Sequence, residues 1–472
     1  MDHQLAVPGF DHALEVFRSA VDRVPAYAKF LCDHGIDAEE IRTPADFAAL
    51  PPVTKDNYFQ VHPRNDLMAG GDIGVAGIWS SSSGSTGRPG YWARDEIAHA
   101  QGVVLHGRIL RAFGANRRRT LVVVAFAMGN WIGGTYTLRC VEGLAARGYP
   151  VSVIAPGQNL ETVRADIAEL GPYYEQVVLA GYPPFVRDVL DGAGPEVLSQ
   201  DLKLLLAGEN ITETWRDRVL ELMGKPGRAE DTCLIYGTAD AGMMGHETPT
   251  TIAVRRAAEA DPLLRQRLFG DATVTPTLVE YDPGYRYTET DEAGRLLFTV
   301  ANAMPLVRYR INDEGEVRTA EQLATELLRA GHRLRVRTCT PSSGFLVLRG
   351  RPDVAATFYA VKIRPDGIRA ALGDPRVRDE LTGKFVLTTV TDARSRDELR
   401  LRVELRAGAR PAPGFPRLVA AVVTGQLAAT SAEYRELRRA RGDLAEPVVE
   451  TAAYGSAGFR YAIKHTGLQR AG

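Results

Sequence analysis

The chain has 472 residues, too many for one ordinary hydrophobic core, so two or more domains are expected. It is 45% hydrophobic and 24% charged, as soluble globular proteins are, and its formal net charge is −1. No basic field exists to hold nucleic acid or an anionic membrane, no stretch reaches membrane-spanning length, and the N-terminus lacks a basic segment followed by an apolar run. No nucleic acid and no membrane partner are therefore expected, and the placement expected is cytoplasmic.

Residues 10–70 read as helical and then extended. Phe17, Val21 and Val24 recur at helical spacing, and PPVTKDNYFQVHP reads as a connecting segment with turn signals at Pro51, Pro52 and Pro63. From about 96 to 240 apolar runs alternate with amphipathic helices. The strands read TLVVVAFAM, YPVSVIA, QVVLAG, LKLLLAG and DTCLIYG. Strands apolar throughout predict a parallel sheet covered on both faces, with ligands beyond the carboxyl ends of its strands. Residues 265–320 read as β-rich, through TPTLVEYD, GRLLFTV and PLVRYRI. A second unit, about a quarter of the chain, starts near Gly350 and mixes strands with helices. No internal repeat is present.

Residue usage adds two points. Seven lysines accompany fifty arginines, which makes each lysine worth inspecting. Cys32, Cys140, Cys233 and Cys339 lie far apart without a CxxC pair, so neither a zinc nor a redox motif is indicated; Cys140 and Cys233 are expected as buried thiols.

Four motifs carry chemistry. In SSSGSTGRPG, Ser81 to Gly90, hydroxyls interleaved with glycine let N–H groups surround phosphate oxygens; a flexible linker has the same composition. In YGTADAG, Tyr236 to Gly242, a ring able to stack on a base, a hydroxyl able to bond phosphate and a carboxylate able to hold a metal follow a buried strand; a polar turn is the alternative. In PLVRYRINDEG, Asp313 stands at a strand end where it could accept from two ribose hydroxyls, or simply form a charged turn. GRPD, Gly350 to Asp353, falls at the change of composition and suits either a hinge or an ordinary interdomain connection.

These motifs, in this order and at these separations, resemble the adenylate-forming superfamily of acyl-CoA ligases, luciferases and peptide-synthetase adenylation domains. The segments RVPAYAKFLCDHGI…TPADFAALPPVTKD and LAGYPPFVRDVLD…LLLAGENITETWRD look like its phenylacetate–CoA ligase-like branch, so the resemblance covers nearly the whole chain. It implies an α/β fold. A large N-terminal domain, residues 1–349, would have mostly parallel sheets flanked by helices plus a β-rich subdomain. A small mobile α+β C-terminal domain, residues 350–472, would turn about Asp353.

The resemblance also implies roles. Ser82, Ser83, Gly84, Ser85, Thr86 and Gly87 would lie over the β- and γ-phosphates of ATP. Tyr236, followed by Gly237, would pack on adenine; Thr238 would reach the α-phosphate; Asp240 would sit near Mg²⁺. Asp313, assisted by Arg351, would grip the ribose. Lys464 in FRYAIKHTG is the candidate catalytic lysine, whereas aligning on SAGFRY would put Gly458 there and leave none. This chain departs from the family pattern at Gly90 (usually Lys), Asp240 (usually Glu), Ala360 (usually Gly) and Arg369 (often Glu). Ala360 bears on CoA use, because its loop approaches the pantetheine tunnel in relatives that use CoA.

The acid pocket is expected beside the loop after TLVVVAFAM, from Met128, Gly129, Trp131, Ile132 and Gly133, with Glu209 lining the same cleft; the loop residues serve equally well as packing for the next helix. No carboxylate stands in that loop to meet an α-ammonium group, so an aryl or aliphatic acid is expected. The acceptor would be CoA, an amine or a carrier protein. A nucleotide-binding homologue that has lost its chemistry is the reading from another class.

Overall fold

The computed structural model describes residues 7–82, 90–270, 272, 275–350, 356–358, 361–391 and 397–459. Strands β1 (Ile78–Ser81) and β2 (Tyr91–Arg94) pair as a separate antiparallel ribbon. The next strands are β3 (Thr120–Ala125), β4 (Val151–Ile154), β5 (Gln176–Gly181), β6 (Leu202–Ala207) and β7 (Thr232–Thr238). They are followed by β8 (Gly242–His246), β9 (Thr277–Tyr281), β10 (Tyr287–Thr290), β11 (Arg295–Val300), β12 (Leu306–Thr319) and β13 (Gly344–Gly350). β3 to β13 form one 11-stranded sheet in the order β10-β11-β12-β13-β9-β8-β7-β6-β5-β3-β4.

The apolar runs form its parallel half, β4-β3-β5-β6-β7. Every residue of β3 and β5 is buried. Val122 and Val124 join the core under helices Glu96–Ala112 and Ile132–Ala146. Leu121, Val123 and Ala125 join the opposite core, under Leu160–Leu170, Pro183–Asp191 and Glu213–Leu222. Alternate residues thus feed opposite layers, as the two-residue period of a strand dictates.

At β7 the sheet changes to antiparallel pairing and continues through β8 and β9 to β13. The β-rich stretch is therefore an extension of the same sheet. Helices Phe10–Arg23 and Pro25–Asp33 pack on this half through Phe17, Tyr27 and Phe30. Lys55–Phe59, which reads as a connecting segment, is a π-helical turn closed by Thr54 and Asn57 capping each other's backbone. Arg310 N donates to Val53 O at 2.9 Å, which ties this turn to β12.

Past Gly350, β14 (Ala356–Phe358) pairs with β15 (Val361–Ile363), and β16 (Leu381–Thr391), β17 (Asp397–Leu405) and β18 (Val448–Ala452) form a three-stranded sheet. Helices Pro365–Leu372 and Phe415–Thr430 complete a separate core with these strands. Several polar contacts join this unit to the large one, among them two on helix Pro183–Asp191. Lys384 Nζ donates to Asp188 Oδ2 at 2.7 Å and lies 3.0 Å from Glu404 Oε2. Arg187 donates to Leu381 O at 3.1 Å. No described helix is long and apolar enough to cross a membrane.

Candidate active site

The parallel strands end together at one edge, and a cleft of about 710 Å³ opens there. Phe126 follows β3, Tyr182 follows β5, Glu209 follows β6, and Tyr236 to Asp240 span the end of β7 and the turn after it; all of these residues line it. β12 crosses the same opening and contributes Tyr309 and Asp313.

The β7–β8 turn is shaped by its glycines. Gly242 has φ +80, and a Cβ on Gly237 would lie 2.9 Å from Gly242 O. Glycine at both positions lets the turn fold tightly and points its polar groups into the cleft. Ala241 N donates to Thr238 Oγ1 at 3.0 Å. Asp240 is buried and accepts from the Tyr309 hydroxyl at 2.6 Å, with Lys55 Nζ 3.6 Å from its carboxylate. Burial opposes its ionisation, but Lys55, Thr238 and Tyr309 together hold its pKa below the usual carboxylate range. The Tyr236 hydroxyl donates to Asp313 Oδ2 at 2.6 Å, so the expected base-stacking and ribose-gripping side chains are joined.

The β1–β2 ribbon is pinned to this turn. Arg94 is buried and donates to Ser80 Oγ at 2.6 Å and to Ala239 O at 2.5 Å. Burial draws its pKa down to about 10, so the guanidinium stays charged at neutral pH. Ser82 and Gly90 close the neck of the serine–glycine loop: Ser82 N donates to Gly90 O and Gly90 N to Ser82 Oγ, both at 2.9 Å. A Cβ at Gly90 would meet Trp92 Nε1 at 3.0 Å, a crowded place for the lysine the family pattern expects. Ser83, Gly84, Ser85, Thr86, Gly87, Ala360, Arg351, Asp353 and Lys464 lie outside the described residues.

Trp131, Ile132 and Gly133 line the cleft. Met128 and Gly129 are not among its lining residues. Met128 turns back toward Gly134 and Gly157, and Gly129 occupies a turn position at φ +78. Glu209 lines the cleft and is held on two sides: the Tyr182 hydroxyl and Arg369 Nε both donate to it. Arg369 also donates to Asp366 Oδ1 at 2.7 Å. Helix Pro365–Leu372 thereby forms one wall, with arginine serving where a glutamate would repel Glu209.

Sequence reading missed Lys55, Arg94, His106, Tyr136 and Tyr309. The scarcity of lysine was the one signal that pointed to Lys55. The described residues contain no group of three or more His, Cys, Asp or Glu side chains able to hold a metal ion. Asp240, a buried carboxylate held ionised, fits a magnesium ion that takes its remaining ligands from phosphates and water.

No protein-family model matches the chain. Over 304 residues it is 26% identical to the phenylacetate-coenzyme A ligase of Aromatoleum evansii, covering 63% of this chain and 62% of that enzyme. Over 303 residues it is 28% identical to the phenylacetate-coenzyme A ligase of Thermus thermophilus, covering 62% and 61%. The chain thus matches less than two thirds of the length of these curated relatives. Its fold is similar to that of 2-hydroxyisobutyryl-CoA ligase in the postadenylation state with 2-HIB-AMP, at TM-score 0.68 and 17% identity over 98% of this chain and 89% of that one. The same ligase with 2-HIB-AMP and CoA in the thioesterification state gives TM-score 0.52, at 16% identity and the same coverage. Sequence similarity to phenylacetate-coenzyme A ligases over part of the chain, and the fold of a CoA ligase over nearly all of it, thus point the same way.

Proposed function

We propose that the chain is an ATP-dependent carboxylic acid ligase. The acid's carboxylate attacks the α-phosphate of ATP, pyrophosphate leaves, and the acyl-adenylate is then attacked by a nucleophile, releasing AMP. The observation that carries this reading is the convergence of Tyr236, Thr238, Asp240, Asp313, Lys55 and the neck of the serine–glycine loop on one cleft with apolar walls.

In the first step two anions must meet, so the site must neutralise charge and hold an in-line geometry. Lys55 brings a cation to the Asp240 end. In this reading Thr238 contributes its hydroxyl to the α-phosphate. Asp313 accepts from the ribose hydroxyls while Tyr236, tied to it, packs on the base. Mg²⁺ bound at Asp240 would supply further positive charge to the phosphates. By the resemblance, residues 83–87 would bind the β- and γ-phosphates, Arg351 would assist Asp313, and Lys464 would be the catalytic lysine. By the same resemblance, the unit after residue 350 would turn about Asp353 between the two half-reactions. The acid lies along Phe126, Trp131, Ile132 and Gly133.

CoA is the acceptor this reading favours, because both curated relatives are CoA ligases and a structure of similar fold is named as binding CoA. Ala360, where CoA-using relatives carry glycine, favours a second reading in which an amine or a carrier protein takes the acyl group. A homologue without chemistry is disfavoured by the charged contact of Lys55 with Asp240, which keeps a cation at the phosphate end. Exchange of labelled pyrophosphate into ATP, run against an acid panel, tests the proposal. Acid-dependent exchange is expected, followed by a burst of AMP when CoA is added. Exchange that is independent of every acid refutes the ligase reading, and an amine-dependent burst without a CoA-dependent one moves the acceptor to the second reading.

A further inference from the structure

One wall of the cleft carries a polar atom that adenylation does not require. His106 lies in helix Glu96–Ala112, is 2% exposed, and lines the cleft together with Phe126, Tyr136, Ile235 and Met243. Its Nδ1 sits 2.9 Å from Gly102 O, one helical turn back. A carbonyl oxygen can only accept, so Nδ1 carries the proton of a neutral ring. Burial pulls the imidazolium pKa down to about 4 against the smaller pull of the Gly102 bond, so the ring is neutral at pH 7. Nε2 is therefore a bare acceptor. It lies on the ring edge opposite the helix contact, and no described residue donates to it. Tyr136 presents its ring to the imidazole at 74° and 5.5 Å between centroids, which fixes the plane of the histidine without engaging that nitrogen.

Nε2 faces the open cleft, whose sides here are formed by apolar Phe126, Ile235 and Met243, so a ligand that displaces water from this wall leaves a costly unpaired acceptor unless it brings a donor. The partner that fits is one the ligand brings. We infer that His106 Nε2 is a specificity determinant, selecting carboxylic acids whose apolar or aromatic body bears a neutral hydrogen-bond donor, a hydroxyl or an arylamine, away from the carboxylate. This inference rests on the adenylation reading. An acid without the donor leaves Nε2 unpaired on binding, and sites that hydrogen-bond a substrate hydroxyl discriminate strongly against analogues lacking it.

The test compares matched acids: the ortho, meta and para hydroxybenzoates and aminobenzoates against benzoate, and the hydroxyphenylacetates against phenylacetate. Acid-dependent pyrophosphate release gives kcat/KM for each. At least one donor-bearing acid is expected to exceed its parent by about 10- to 100-fold, the range for one buried hydrogen bond. His106→Phe should bring that ratio to about one, and His106→Gln, which keeps an acceptor, should retain part of it. Calorimetric ATP binding checks that each variant keeps its cleft. Turnover of the panel with every wild-type ratio near one overturns the inference without touching the ligase reading, and needs no variant. An undiminished ratio in His106→Phe overturns it as well. Absence of acid-dependent release from the whole panel overturns both.

Discussion

Replacing Lys384 is expected to loosen the C-terminal unit far more than replacing Asp188, although the two side chains share one hydrogen bond. The Lys384 side chain is 3% exposed and sits between Asp188, 4% exposed, and Glu404, fully buried. Asp188 belongs to helix Pro183–Asp191 of the large unit, and Glu404 to β17 of the C-terminal one. Asp188→Asn leaves the Lys384–Glu404 pair intact and keeps an acceptor near Nζ, so the loss is one charge-assisted increment, about 1 kcal/mol. Lys384→Met removes the cation that both carboxylates share. Two buried like charges then face each other, a loss of about 3–5 kcal/mol unless one takes a proton. Hydrogen exchange at β16 and at Pro183–Asp191 reads this directly, because local opening should rise about 10²- to 10⁴-fold in Lys384→Met and roughly fivefold in Asp188→Asn. Equal effects of the two replacements would refute the shared-cation reasoning.

Lys55→Ala should lower acid-dependent pyrophosphate release by about 10²- to 10³-fold, as loss of a charge-stabilising donor does; an unchanged rate removes Lys55 from the site. Asp313→Ala deletes the partner of Tyr236 and the expected ribose acceptor, and calorimetry should show ATP binding weakened by about ten- to a hundredfold. Arg369→Glu sets a carboxylate against Glu209 and should lower Tm, while the exchanged pair Glu209→Arg with Arg369→Glu should regain at least half of the loss; no regain means that the pairing is incidental. Burial opposes ionisation of Asp201, yet Lys225 and Arg118 draw its pKa down to about 2. A depressed folded-state pKa stabilises fully above the unfolded value near 4 and is lost as pH falls toward 2. Asp201→Asn should therefore flatten that part of the acid-unfolding curve.

The parallel half of the sheet was legible because β3, β5 and β6 are buried on both faces, and such strands must read as unbroken apolar runs. The polar cluster at the end of β7 was legible for a related reason. A tight glycine turn after a buried strand leaves polar side chains nowhere to go but the cleft. What escaped depends on tertiary contact. That β9 to β13 extend the same sheet turns on antiparallel pairings such as His246 with Glu280, which no local pattern encodes. Lys55 reads as part of a linker until its turn is tied to β12, and only then does it meet Asp240. His106 sits among the buried residues of its helix and reads as core, because hydropathy does not tell a wall of packed side chains from a wall around a ligand. Met128 and Trp131 are three residues apart in one loop, and the turn at Gly129 separates their destinations.

Rapid-quench mass spectrometry of the enzyme mixed with ATP, magnesium and a hydroxylated aromatic acid tests most directly whether this cleft joins the acid to AMP. The expected result is a species with the mass of the acyl-adenylate, formed together with pyrophosphate and consumed when CoA is added. Formation of ADP and an acyl phosphate instead, or ATP left intact with every acid, would contradict it.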